Sequence, residues 1–169
     1  MNIFALALAL ASVAPAPAPP DLFSLQAELQ GLYDEISQAT MQFVSVEDAD
    51  QFHSVLYTPD WVFVDTAGQR QTWTQVRDQV LHAPQVESAV QPIQKLSLVP
   101  GGAVTTVNVS TMRGIVDEEG RYGRKGATHQ ITETTPFRDT WVQNGDQWKL
   151  QSRTQLGPPK IQVDLPVDR

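Results

Sequence analysis

The order of apolar patterns along this chain predicts an α+β fold, a cone-shaped curved antiparallel sheet with three helices from the N-terminal half packed on its concave face. Three observations carry that expectation. Apolar residues recur at helical spacing before residue 60, a capped helix follows near residue 72, and period-two strand patterns dominate from Ile93 to Leu150. Helices gathered ahead of a strand meander imply a helix layer on one face of a sheet.

Pro19-Pro20 precedes Asp21, a residue that caps helices. Leu22, Leu25, Leu29, Leu32, Ile36 and Phe43 then fall on one face, and Gln26, Glu28, Gln30, Asp34 and Glu35 on the other. Ser45 with Asp48 reads as a capping pair for a second helix carrying Phe52, Val55 and Leu56, stopped by Pro59. Trp61–Asp65 is a strand and Thr66-Ala67-Gly68 a turn. Thr72 and Gln75 form a capping box for the third helix, with Trp73, Val76 and Val80 inward and Pro84 beyond its end.

The remainder is strand-like. Ile93–Val99 meets the turn Pro100-Gly101-Gly102, and Ala103–Val116 follows. Asp117–Gly126 holds three glycines and many charges and reads as a loop. Thr128–Val142 carries five threonines with Ile131, Phe137, Trp141 and Val142. Asn144-Gly145 is the strongest hairpin signal in the chain. Trp148 and Leu150 alternate with Lys149 and Gln151 in a last strand, and Lys160–Arg169 reads as a tail after Pro158-Pro159. The expected layout is a leader and linker over residues 1–20, one domain over 21–157 and a tail over 158–169.

The chain has 169 residues, 41% hydrophobic and 18% charged, which suits one domain with a core and excludes a disordered chain. A net charge of −7 disfavours nucleic acid and anionic membranes as partners. There is no cysteine, so disulfides and thiolate zinc sites are excluded. Ile3–Val13 is apolar except for Ser12 and is too short to span a bilayer, which takes roughly 20 residues. Followed by alternating Ala and Pro, it reads as a signal peptide, so the protein is expected to be exported, to the periplasm or beyond.

Two stretches carry a family resemblance. One runs Leu56-Tyr57-Thr58-Pro59-Asp60-Trp61-Val62-Phe63-Val64-Asp65-Thr66-Ala67-Gly68; the other is Phe137-Arg138-Asp139-Thr140-Trp141-Val142 with Asn144-Gly145 and Trp148-Lys149-Leu150. With the element order, over about Leu22–Leu156, they resemble the nuclear transport factor 2-like superfamily in its SnoaL-like and ketosteroid-isomerase-like branch. The resemblance implies an apolar cavity inside the cone and frequent pairing through the open sheet face. In ketosteroid isomerases a similar strand ends in an aspartate that moves the proton, and Asp65 occupies the matching place. The relatives' oxyanion tyrosine lies on the first helix, where this chain has Met41 or its neighbours, with Tyr33 about two turns away. Their second acid lies on the strand that here holds Asp139.

Asp65 is thus the candidate catalytic base, because a carboxylate at the mouth of an apolar pocket acquires a raised pKa. Its plainer reading is a turn former bonding its own backbone. Trp61 and Phe63 share the face of Asp65 in a regular strand and would line the pocket. His129, Glu133 and Asp139 share parity with Phe137 and Trp141, so His129 and Asp139 are candidate ligand-binding residues. A bulge near Pro136 would put Arg138 inside instead. Arg113 is a candidate oxyanion donor, with a cross-strand ion pair as its structural alternative. His53, His82 and His129 are far apart in sequence, and no metal or cofactor is expected. The functional expectation is an exported domain with a pocket for a small apolar molecule, with proton transfer next to a carbonyl as its chemistry. The alternative is a non-catalytic envelope module that forms homodimers through its sheet.

Overall fold

A computed structural model describes residues 21–41, 45–81, 85–117 and 128–163. The apolar leader, Phe43, His82, Pro84, most of the glycine-rich loop after Asp117, and the last six residues lie outside it, as does the side chain of Val80. The described elements are α1 (Leu22–Thr40), α2 (Val46–Leu56), β1 (Tyr57–Val64), β2 (Arg70–Thr72), α3 (Trp73–Leu81), β3 (Gln85–Val90), β4 (Ile93–Leu98), β5 (Val104–Asp117), β6 (Thr128–Asn144), β7 (Gln147–Gln155) and β8 (Lys160–Val163).

Each helix starts at the cap its sequence offers. The Asp21 carboxylate accepts from the amides of Phe23 and Ser24, satisfying two N–H groups that the first turn leaves open. Ser45 Oγ accepts from the Asp48 amide, and Gln75 Oε1 accepts from the Thr72 amide. Leu25, Leu29, Tyr33 and Ile36 form the buried stripe of α1, at helical spacing. Leu22, in the first turn, is exposed.

The sheet runs β2-β1-β7-β6-β5-β3, with β4 also on β5 and β8 also on β6. It is mixed rather than wholly antiparallel, because β1 lies parallel to β7. The central pair β5–β6 keeps one register from Val104↔Trp141 to Asp117↔Thr128. Two broken strands flank that pair, β4–β3 on one side and β7–β8 on the other. The breaks let the long sheet curl into a cone, since an interrupted ladder bends where a continuous one resists. Lys160–Val163, expected as tail, is therefore part of the sheet and pairs with Ile131–Thr134.

Irregularities set which residues face the cone. β6 and β7 lose register between Thr140↔Ser152 and Trp141↔Leu150, which leaves Gln151 as an extra residue on β7. β1 is irregular against the same point, between Tyr57 and Val62, where Pro59 lacks the N–H a regular ladder would need. The β6–β7 hairpin turns through Gly145 and Asp146, with Gly145 at φ 64 as the first position of a type II′ loop requires.

The core lies where α1 crosses the sheet. Leu25, Leu29, Tyr33, Ile36, Leu56, Tyr57, Trp61, Val104, Trp141 and Leu150 form one cluster. Each fully buried large side chain there contributes about 1.5–3 kcal/mol relative to exposure.

Candidate functional site: a cavity inside the cone

A cavity of about 190 Å³ opens above this core. Its lining comes from every layer: Ile36 and Thr40 of α1, Phe52 of α2, Tyr57, Trp61 and Phe63 of β1, and Trp73 and Val76 of α3. Gln91, Ser110, Met112, Glu133, Thr135, Phe137 and Arg153 complete it. The ladder explains the sheet contribution. Ser110 opposes Thr135 and Met112 opposes Glu133, so the inward residues of β5 and β6 stand side by side.

One wall is an aromatic stack. The His53 ring stacks nearly parallel against both Tyr57 at 4.7 Å and Trp73 at 4.5 Å, which are themselves 6.1 Å apart, with Trp61 edge-on at 5.8 Å. Burial drives the His53 pKa down to about 4, against the opposing pull of Asp50, so the imidazole is neutral at pH 7. Trp73 Nε1 donates to Asp50 Oδ1 at 2.6 Å, and Arg77 pairs with the same carboxylate at 2.9 Å, which fixes the indole at the start of α3. Tyr57, Trp61 and Trp73 also line an outer groove of about 670 Å³, so they partition it from the inner cavity.

The floor is a buried polar network centred on Asp139, which is 0% exposed. Arg153 grips it side-on, Nε to Oδ1 at 3.0 Å and Nη2 to Oδ2 at 2.9 Å. Tyr33 donates its proton to Asp139 Oδ2 at 2.6 Å, and Asn108 Nδ2 donates to the same oxygen at 2.8 Å. Trp141 Nε1 donates to the Tyr33 oxygen at 3.1 Å, and Thr106 Oγ1 lies 2.5 Å from it. Burial, with the Asp139 charge beside it, pushes the Tyr33 phenol well above its ordinary range, so it stays a donor. Burial works against the Arg153 charge, but Asp139 more than offsets this and holds its pKa above the ordinary value. Arg153 Nη2 also donates to Gln91 Oε1 at 2.8 Å, and Gln91 donates onward to Ser37 at 3.2 Å. Gln91 sits in the break between β3 and β4, which is why its side chain turns inward.

The sequence candidates divide. Trp61 and Phe63 line the cavity, and Phe63 meets Phe137 edge-on at 6.4 Å. Asp139 faces inward, beneath the lining, as the partner of Arg153. His129 also faces inward and is buried, nearer the start of β6 than the residues that line the cavity. Arg138 is exposed, because β5–β6 passes Pro136 without a bulge. Arg113 lies on the opposite face of the sheet, exposed, donating to Gln130 Oε1, which places it away from the cavity. The structure places Asp65 in the turn: its Oδ1 accepts from the Ala67 and Gln69 amides, both at 2.8 Å, and it is not part of the lining. That geometry is the turn-forming alternative, an aspartate bonding the backbone two and four residues on.

Arg153 was not foreseen. Strand parity counted from Trp148 and Leu150 puts it outside, and only the extra residue at Gln151 brings it in. Glu133 was visible by its parity with Phe137.

No family model matches this sequence, and no curated protein does. Solved structures do. A nuclear transport factor 2-like superfamily protein from Salmonella enterica superposes with a TM-score of 0.53 at 13% identity, covering 83% of this chain and 95% of that one. A hexachlorocyclohexane dehydrochlorinase from Novosphingobium barchaimii gives 0.51 at 12% identity, covering 86% and 92%. At such identities the likeness speaks for architecture, and the architecture hosts many activities. The chain has the nuclear transport factor 2-like fold.

Proposed function

We propose that this is an exported small-molecule-binding protein whose ligand, a compact and mainly apolar molecule, occupies the cone cavity. The observation that carries the reading is the lining itself: six aromatic side chains around about 190 Å³, with one guanidinium at the floor. Ligand sites are mainly apolar, concave and supplied with a few fixed polar groups, and this cavity matches each requirement. Its volume suits a single small ring system. That dehydrochlorinases share the fold supports a pocket open to small apolar compounds. Asp65 stands outside the lining, so the reading is one of binding rather than of proton transfer by that residue. Export rests on the apolar leader Ile3–Val13.

The test is a thermal-shift and calorimetric screen of the protein with small aromatic ketones, phenols and hydrocarbons, beside a Met112→Trp variant that fills the cavity from its rim. Ligand at a hundred times its Kd stabilises by about 2.7 kcal/mol. For a domain of this size that raises Tm by roughly 5–10 °C. Shifts lost in Met112→Trp support the cavity. Shifts equal in both proteins, or none across the panel, refute it.

A further inference from the structure

We infer that the cavity selects a bipolar ligand, one that presents a neutral carbonyl-type oxygen to Arg153 and a hydroxyl or amine proton to Glu133. The inference rests on the pocket reading above and adds the polarity of the occupant to it.

A guanidinium carries five N–H donors. In Arg153, Nε and one Nη2 proton serve Asp139, and the other Nη2 proton serves Gln91. Nη1, with two N–H groups, has no hydrogen-bond partner among the described residues, while the side chain lines the cavity and keeps 14% of its surface exposed. Its orientation is fixed twice, by the side-on grip of Asp139 and by the Phe137 ring 4.8 Å beneath the guanidinium carbon. A charged donor held in place in an apolar cavity demands an acceptor, since leaving it dry is costly.

Charge decides what kind of acceptor. Asp139 already neutralises Arg153, and Glu133 adds a second carboxylate to the same cavity. A ligand carboxylate would be a third anion around one cation, and like charges in a poorly solvated space repel. A neutral carbonyl oxygen takes the Nη1 donors without that repulsion.

Glu133 forms the other pole. Its Oε1 accepts from Thr135 Oγ1 at 3.1 Å, and Oε2 has no partner among the described residues. On one strand, Glu133 and Phe137 stand about 13 Å apart at roughly 3.3 Å per residue. Glu133 accepts from Thr135, two residues nearer Phe137, and Arg153 lies over the Phe137 ring, so the inferred ligand spans the two poles with one substituted ring. A carboxylate with a spare oxygen calls for a donor at that end.

The experiment measures Kd for four probes of one shape: ethylbenzene, acetophenone, para-ethylphenol and para-hydroxyacetophenone. A hydrogen bond to a charged group tightens binding by roughly tenfold, so acetophenone and para-ethylphenol should each gain about tenfold over ethylbenzene, and para-hydroxyacetophenone should gain both. Arg153→Lys, which leaves Asp139 a cation, should erase the ketone gain and keep the phenol gain; Glu133→Met should do the reverse. Equal affinity for all four, or gains that survive in the matching variant, overturns the bipolar inference and leaves the pocket standing. Tighter binding of para-hydroxybenzoate than of para-hydroxyacetophenone overturns its neutral-acceptor half. Failure of all four to bind overturns the pocket reading, and this inference with it. Should Arg153→Lys fail to fold, the four-probe comparison in the unaltered protein still decides.

Discussion

Arg153→Met removes the cation from the cavity floor and leaves Asp139 fully buried. Three hydrogen bonds disappear, two to Asp139 and one to Gln91. Breaking one side of a buried ion pair costs about 3–5 kcal/mol, because the abandoned charge keeps its desolvation penalty. Asp139 retains donors from Tyr33 and Asn108, which places the expected loss near the lower end, about 3 kcal/mol. At a few degrees per kcal/mol for a chain this size, Tm should fall by about 10 °C. Adding Asp139→Asn removes the stranded charge while Tyr33 and Asn108 keep a polar neighbour. The double variant should then lie within about 1–2 kcal/mol of the unaltered protein. Urea unfolding followed by tryptophan fluorescence and by circular dichroism measures all four corners of the cycle. Single variants that cost under about 1 kcal/mol, or a double variant whose loss equals the sum of the singles, would refute the coupling of Asp139 to Arg153.

Tyr33→Phe takes away the hydroxyl that meets Asp139, Asn108, Trp141 and Thr106 and should cost about 2–3 kcal/mol in urea unfolding; a loss below about 0.5 would remove it from the network. His53 titrates near 6.5 unfolded and about 4 folded, so the unfolded chain binds the extra proton between those values. Its contribution is present above pH 6.5 and lost as pH falls toward 4; His53→Phe should flatten the decline of Tm across that window, and an unchanged slope would count against a neutral buried His53. Asp65→Ala should lower stability by about 1 kcal/mol through the lost turn bonds and leave ligand affinity unchanged. A tenfold loss of affinity there would return Asp65 to the site.

Much of this architecture was written locally. Asp21, Ser45 and the Thr72–Gln75 pair begin the three helices because each offers a side-chain oxygen, or an amide, where the backbone lacks a partner. The inward row of β6, from His129 through Glu133 and Phe137 to Trp141, follows strand parity because its pairing with β5 never slips. What was not legible depends on distant contacts. β3 and β8 are short strands with weak patterns of their own, formed because the ends of β5 and β6 offer open ladders. Arg153 was hidden by one extra residue whose position is set where β1 and β6 both meet β7. Asp65 reads two ways for a related reason. A strand-terminal aspartate before a glycine turn has the same sequence whether its carboxylate enters a cavity or caps the turn, and the backbone amides of Ala67 and Gln69 were the nearer partners.

The cavity floor is an expensive way to close a cone. Replacing a buried ion pair with apolar residues of similar volume is often neutral or stabilising, so stability alone does not explain Asp139 with Arg153. Nor is the pair isolated: Tyr33, Asn108 and Gln91 all bond directly to one of its two members, Thr106 and Trp141 support Tyr33, and Ser37 holds Gln91. Those contacts come from α1, β5, β6 and the β3–β4 break, so the guanidinium is anchored to several separate parts of the chain. The result is a single charged edge whose place is fixed before any ligand arrives, and a fixed donor loses little freedom when an acceptor meets it. A purely structural pair would turn every donor inward and present carbon to the cavity. This one leaves Nη1 without a hydrogen-bond partner among the described residues, on a side chain that lines the cavity beside Trp61, Phe63 and Phe137, which is the arrangement expected of a site that recognises an oxygen.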